Sequence, residues 1–434
     1  MKITLFHSAE GDCLLLTADD DSRLLVDGGR SHTWRDHAAP FMGKLRDQGG
    51  TLDAVCVSHI DRDHIEGILR MMDDRVRWIV HRHQIANGNA SHPAPESPEP
   101  PDVGAIWHNA FHEMVDDNEG RVSDLFAAMT RVLAFHPDEA LQAFGAGRPD
   151  LALSKKQAIQ LSRRVGGAQL GIPLNPPAGG KLMMARAGEA PFQLGGFTVR
   201  VLAPFEAELE ALRDEWNTWL EDNEHVLEEV RGQAGEDEEA IEGAGLGAAR
   251  ARLQLAAKEL GDRGEVTLPN LASLMLHVEA DGKTTLLTGD GHQDELLEGL
   301  EMTGLVGEGA GLHVDVLKIP HHGSEFNMDE TLFKRITADH YIINADGGHD
   351  NPDLAIIDVM LRSRLGAEDE VSSNPEVDRP FRLWFSSSPT AIASATRAAH
   401  MEAVRQRVRD FQNDAPAGRL RYSFLSGSKR DITV

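Results

Sequence analysis

Residues 52–67 read LDAVCVSHIDRDHIEG. Its first half is a nearly continuous apolar run, the composition of a short strand covered on both faces, and it breaks off into polar residues. The following IEGILRMM, 65–72, reads as a helix beginning near Asp63. His59, Asp61, Asp63 and His64 therefore collect where a buried strand gives way to a helix. Four imidazole or carboxylate groups fall within six positions, a mixed nitrogen and oxygen set that divalent Zn or Mn accepts. A helix-capping turn is the competing reading, since Asp61 or Asp63 also suits an N-cap.

Upstream of this stretch, residues 3–6, 13–17 and 23–27 read as three short strands, with turns at Gly11-Asp12 and Asp19-Asp20-Asp21. Downstream, VRWIVH at 76–81 reads as a further strand and the Pro-rich residues 87–102 as a loop. Residues 104–165 carry helical periodicity, FTVRVLAP at 197–204 is strand-like, and a second helical stretch runs from about 205 to 262. The Gly-rich acidic centre of that stretch, 232–247, is expected to be mobile, and a partner or protease could reach it. Strand patterns resume at 271–279, 284–290, 315–324, 340–346 and 381–387, followed by a helix at 389–412 and a last strand at 420–425. The fold class is α/β, expected as one elaborated domain of 434 residues.

With 43 basic and 70 acidic residues the net charge is −27, which repels a polyanion at long range and disfavours tight nonspecific DNA binding. A metal site supplies positive charge locally, so a phosphodiester substrate stays open. No apolar run approaches the roughly 18 to 20 residues that cross a bilayer, and the amino terminus has no signal-peptide pattern, so a cytoplasmic protein is expected. Cys13 and Cys56 sit in no Cys-x-x-Cys pair and read as buried fillers. Two helices supply basic residues, Lys155, Lys156, Arg163 and Arg164 in one and Arg397, Arg405, Arg407 and Arg409 in the other; in so acidic a chain, solvated helix faces are the preferred account of them.

His59-x-Asp61-x-Asp63-His64 resembles the metal motif of the metallo-β-lactamase superfamily, in the variant of the ComEC-type hydrolases of DNA-uptake competence. Further stations are similar in order: Gly11-Asp12, Leu25-Val26-Asp27-Gly28-Gly29, Asn270 with Ser273-Leu274, Leu287-Thr288-Gly289-Asp290, and Leu317-Lys318-Ile319-Pro320-His321-His322-Gly323-Ser324. The resemblance spans residues 1–83 and 265 to about 350. It implies an αββα sandwich with a core of 1–83 and 265–434 and two helical insertions, about 87–196 and 205–262. It also implies one or two divalent ions, Zn or Mn, held by His59, Asp61, Asp63, His64, Asp290 and one of His321 and His322; adjacent residues after a strand normally point to opposite faces unless a turn intervenes, so one of the two is expected to ligate, with His322 preferred.

In that reading Asp290 bridges the metals, Asp27 orients a ligand, and Asp63 orients the nucleophile while ligating. His321 sits near the scissile group, and Ser324 and the Gly323 amide are candidate oxyanion donors. Asn270 stands where such hydrolases usually carry a His, which shifts the expected preference toward Mn. His349 is a late candidate near the site, and His81 and His83 are outer-wall residues at most. The expected activity is metal-dependent hydrolysis, of a phosphodiester or a nucleic acid first. A small ester, lactone or phosphocholine-type substrate is the alternative, and a partner- or protease-controlled effector with the insertion as lid is the third.

Overall fold

The computed structural model describes residues 1–109, 157, 160, 161, 164–167, 169–207, 209, 210 and 272–434. Period-two alternation builds two sheets. The first contains β1 (Lys2–Phe6), β2 (Leu14–Thr17), β3 (Arg23–Val26), β4 (Ala54–Cys56), β5 (Ile106–Trp107) and β14 (Lys429–Thr433), in the order β14-β1-β2-β3-β4-β5. The second contains β6 (Phe192–Leu194), β7 (Phe197–Ala203), β8 (Met275–Ala280), β9 (Lys283–Leu287), β10 (Leu312–Lys318), β11 (Ile336–Ile343), β12 (Phe381–Phe385) and β13 (Leu420–Phe424), ordered from β13 down to β6. Both sheets are mixed: β3-β4-β5 and β9 to β13 pair parallel, and the remaining neighbours antiparallel.

Alternate residues of each strand serve different cores. Leu14, Leu16, Leu24 and Val26 of the first sheet meet Phe197, Val199, Leu287, Ile342 and Trp384 of the second, so the sheets face one another through these side chains. The opposite parity, Leu15, Leu25 and Val55, packs under α1 (Ala39–Asp47) and α2 (Arg62–Ala86) through Met42, Ile65, Ile68 and Met72. On the other side, Leu286, Tyr341, Ile343, Leu383 and Phe385 pack under α3 (Gln293–Met302), α4 (Glu330–Arg335), α5 (Leu354–Leu365) and α6 (Ala395–Asp414). The layers therefore run helix, sheet, sheet, helix.

Several sequence expectations are corrected. Residues 76–81 lie in the second half of α2, not in a strand. The chain meets neither Gly nor Pro between Gly67 and Gly88, so a helix once started propagates through β-branched residues. Buried Asp74 reinforces it by accepting from Arg70, Arg77 and the Trp34 indole. The helical pattern read from residue 104 fails at its start, because Ile106 and Trp107 pair with Val55 and Cys56 as β5. Residues 87–196 thus contribute an edge strand to each sheet. The tail 429–433 is also a strand, paired along β1. Most of 205–262, with its acidic centre 232–247, lies outside the described residues, as do Lys155, Lys156, Arg163 and Asn270. Among the described residues no helix is long and apolar enough to cross a membrane.

One buried histidine makes the fold acid-sensitive. His277 of β8, opposite Arg200 of β7, has its pKa lowered to about 4 by burial and by that guanidinium. It is neutral in the fold, and the unfolded chain takes up a proton first, at about 6.5. Its contribution is therefore complete above pH 6.5 and lost as pH falls toward 4, up to about 3 kcal/mol. His277→Asn should flatten this part of the stability profile in urea melts at pH 7 and pH 4.5. Equal acid losses in variant and wild type would contradict it.

Candidate metal centre

The carboxyl ends of the parallel strands converge at one end of the two sheets. Asp27 follows β3, His59 to His64 follow β4, Asp290 follows β9, and His321 and His322 follow β10. The Leu274 amide, just before β8, donates to the Ser58 carbonyl at 2.7 Å and ties the two sheets together there. Gly289 takes φ +51°, and an added Cβ would lie 3.0 Å from Ser58 Cβ, so glycine lets the Thr-Gly-Asp turn close against the β4 end.

Each imidazole has its Nδ1 committed to an oxygen. His64 Nδ1 donates to Asp27 Oδ2 at 2.9 Å, and His322 Nδ1 to the Asn344 carbonyl at 2.8 Å. His59 Nδ1 lies 3.2 Å from Ser58 Oγ, whose own hydroxyl donates to Asp27 Oδ2 at 2.7 Å. His321 Nδ1 is bound by Asn327 Oδ1, and the Asn327 amide group donates to the Asp290 carbonyl at 2.9 Å. These contacts set one tautomer for all four rings and leave the Nε2 lone pairs facing inward.

The four Nε2 atoms meet at one carboxylate oxygen. Asp290 Oδ2 lies 3.3 Å from His64 Nε2, 3.3 Å from His322 Nε2, 3.7 Å from His59 Nε2 and 3.7 Å from His321 Nε2. Asp63 Oδ2 adds contacts of 3.1 Å to His322 Nε2 and 3.7 Å to His64 Nε2, and Asp61 Oδ2 lies 3.7 Å from His59 Nε2. Among the described residues, the Nε2 atoms of His59, His64 and His322 are buried with no hydrogen-bond partner. Orphaned buried nitrogens aimed at a shared carboxylate are costly unless a cation or protons complete them. The donor chemistry fits a divalent ion: one ligand atom each from Asp63, His64, Asp290 and His322 lies within 4.8 Å of the others.

The charges agree. Burial works against ionised Asp290, but His322 and His64 outweigh it and hold the carboxyl well below its usual range. Asp63 is depressed in the same way, by His64 and His322 against burial. Burial lowers the His322 pKa, yet Asp290 and Asp63 carry it up to about 10, and Asp290 and Asp63 likewise raise His64. Protons and a divalent cation thus compete for the same lone pairs, so loading such a site with metal releases protons.

Asp61, Asp63, His64, Asp290, His59 and His322 are brought together, and Asp27 stands behind His64. The pair His321-His322 departs from the expectation that neighbours on a strand diverge. Both adopt left-handed backbone, φ +40° and +58°, in the turn Pro320–Gly323, and both rings thereby reach Asp290. Left-handed non-glycine residues cost about 1 kcal/mol or more each, which the surrounding contacts must offset. The converging rings make the set richer in nitrogen than expected. Ser324 is buried, its amide donating to the His321 carbonyl at 3.0 Å. His349 is exposed and forms no hydrogen bond or ion pair among the described residues. His81 sits farther along α2, against Trp78 and His92.

Two residues near the cluster carry no role in the sequence reading. Asn327 has no local signal and is found only through its contacts. Asp12, read as a turn residue, is buried and binds Lys318, the buried end residue of β10. Compared with known proteins, the chain matches no family model and no curated protein.

Proposed function

We propose that the protein is a metal-dependent hydrolase of the metallo-β-lactamase type, acting on a phosphodiester. The observation that carries this reading is the meeting of four imidazole Nε2 atoms at Asp290 Oδ2, three of them buried and without a hydrogen-bond partner among the described residues. The helix, sheet, sheet, helix layering and the position of the cluster at the strand ends support it. His59, Asp61, Asp63, His64, Asp290 and His322 would hold one or two ions, Zn or Mn. Such ions supply Lewis acidity and lower the pKa of water, which suits hydrolysis at neutral pH.

The chain's own residues divide the remaining work. Asp27, through its bonds to His64 Nδ1 and to Ser58, orients the cluster from behind. Asp63 is partly open to solvent, and its depressed pKa makes it a group that orients a water molecule by accepting a hydrogen bond. His321 is the most exposed of the four rings, and burial lowers its pKa. Its Nε2, unprotonated in that tautomer, can accept a proton or a hydrogen bond at the mouth of the site.

A second reading, hydrolysis of a small ester of low charge, is favoured by one observation. Four of the five described arginines of the two basic helices are already ion-paired, Arg164 with Asp73, Arg397 with Glu10 and Asp346, Arg405 with Glu402, and Arg407 with Asp358, while Arg409 donates to Gln406 at 3.4 Å. The deciding experiment is metal analysis of the purified protein, then rates on bis-p-nitrophenyl phosphate, single-stranded DNA and p-nitrophenyl acetate, with and without chelator. Chelator-sensitive cleavage of the phosphodiester is expected. Turnover of acetate alone moves the assignment to the small ester, and rates indifferent to chelator reject both.

A further inference from the structure

The site already contains one cation of its own. Lys318 is 1% exposed, and its Nζ donates to the Gly289 carbonyl at 2.8 Å and is ion-paired with Asp12 Oδ2. The same Nζ lies 3.7 Å from Asp290 Oδ1. Asp290 therefore divides its carboxylate: Oδ1 faces an ammonium, and Oδ2 faces the four imidazoles. A second group of potential ligands, Asp12, Asp27 and His64, lies beside the first with one ligand atom each within 4.8 Å, and Lys318 is bound to its Asp12 member. Burying an ammonium is costly unless anions and carbonyls complete it, and here two carboxylates and a carbonyl do so.

We propose that Lys318 is the resident cation of the site, a positioning residue that turns Asp290 Oδ2 toward the imidazoles and closes the Asp12 side of the cluster to exchangeable metal. The inference rests on the metal reading given above. A plain structural strut would also tie Gly289 to Asp12, but its loss would weaken the protein equally with and without metal. A resident cation differs, because removing its charge leaves Asp12 and Asp290 seeking another.

The test compares wild type, Lys318→Met and Lys318→Arg for metal bound per chain after equilibration with Mn or Zn, and for melting temperature in metal and in chelator. Lys318→Met should bind about one further equivalent and widen the gap between metal and chelator melting temperatures. Lys318→Arg should keep the wild-type stoichiometry. If Lys318→Met is insoluble, Lys318→Gln is read in the same way, and failure of both to fold even with metal makes the residue a strut and overturns the proposal. Unchanged stoichiometry and an unchanged gap in a folded variant also overturn it, while leaving the metal reading standing. A wild type that takes up no metal removes both.

Discussion

Asp290→Asn should lower kcat/KM on a phosphodiester about 10³-fold or more, close to 4 kcal/mol of transition-state stabilisation, and should strip the protein of metal. The substitution keeps size and shape but removes the charge on which four Nε2 atoms and Lys318 converge. It leaves the backbone of the turn in place, since Asn327 binds the Asp290 carbonyl and Lys318 the Gly289 carbonyl. Loss of activity should therefore come without loss of secondary structure by circular dichroism. Retention of metal together with a rate within tenfold of wild type would rule out Asp290 as the shared ligand.

The second large effect is on stability. Gly67, in α2, lies against the Asp27-Gly28-Gly29 loop so closely that an added Cβ would come 1.9 Å from the Gly28 carbonyl oxygen. Reciprocal bonds hold the contact: the Gly67 amide donates to the Gly29 carbonyl at 2.8 Å and the Gly28 amide to the His64 carbonyl at 2.9 Å. Alanine improves helix propensity by about 1 kcal/mol. The clash is with backbone on both sides, so no side chain can move aside, and overpacking should outweigh that gain, for a net loss of about 3 kcal/mol or more. Because the loop carries Asp27 and the helix carries Asp63 and His64, metal uptake should weaken as well. The measurement is the urea midpoint of Gly67→Ala against Gly307→Ala, a position with no atom of the described residues within 4 Å of its added Cβ. A Gly67→Ala protein as stable as wild type would mean that the contact is looser than described.

The clustered part of the candidate site was legible because it is local. His59, Asp61, Asp63 and His64 fall on one strand-to-helix junction, and apolar patterns ending in Asp27, Asp290 and His321-His322 marked the other strand ends. Residues 76–81 were misread because alternation over six residues does not separate a strand from a helix already under way. Ile106 and Trp107 were misread because joining the edge of a sheet depends on a neighbour about fifty residues away, Val55 and Cys56.

By itself the sequence determined which chemical groups stand at strand ends, and that apolar strands and helices alternate as in an α/β protein, because ligand spacing and hydrophobic period are properties of neighbouring residues. Only the tertiary structure decided that β14 closes the first sheet against β1, where Thr4 Oγ1 donates to Asp431 across 427 positions. It alone placed His321 and His322 on the same carboxylate oxygen, through two successive left-handed residues, and left His349 in solvent. It also set Lys318 against Asp12 and Asp290. Each of these depends on burial and on partners distant in the chain, and in a single sequence no local pattern reports which distant groups will share a low-dielectric interior.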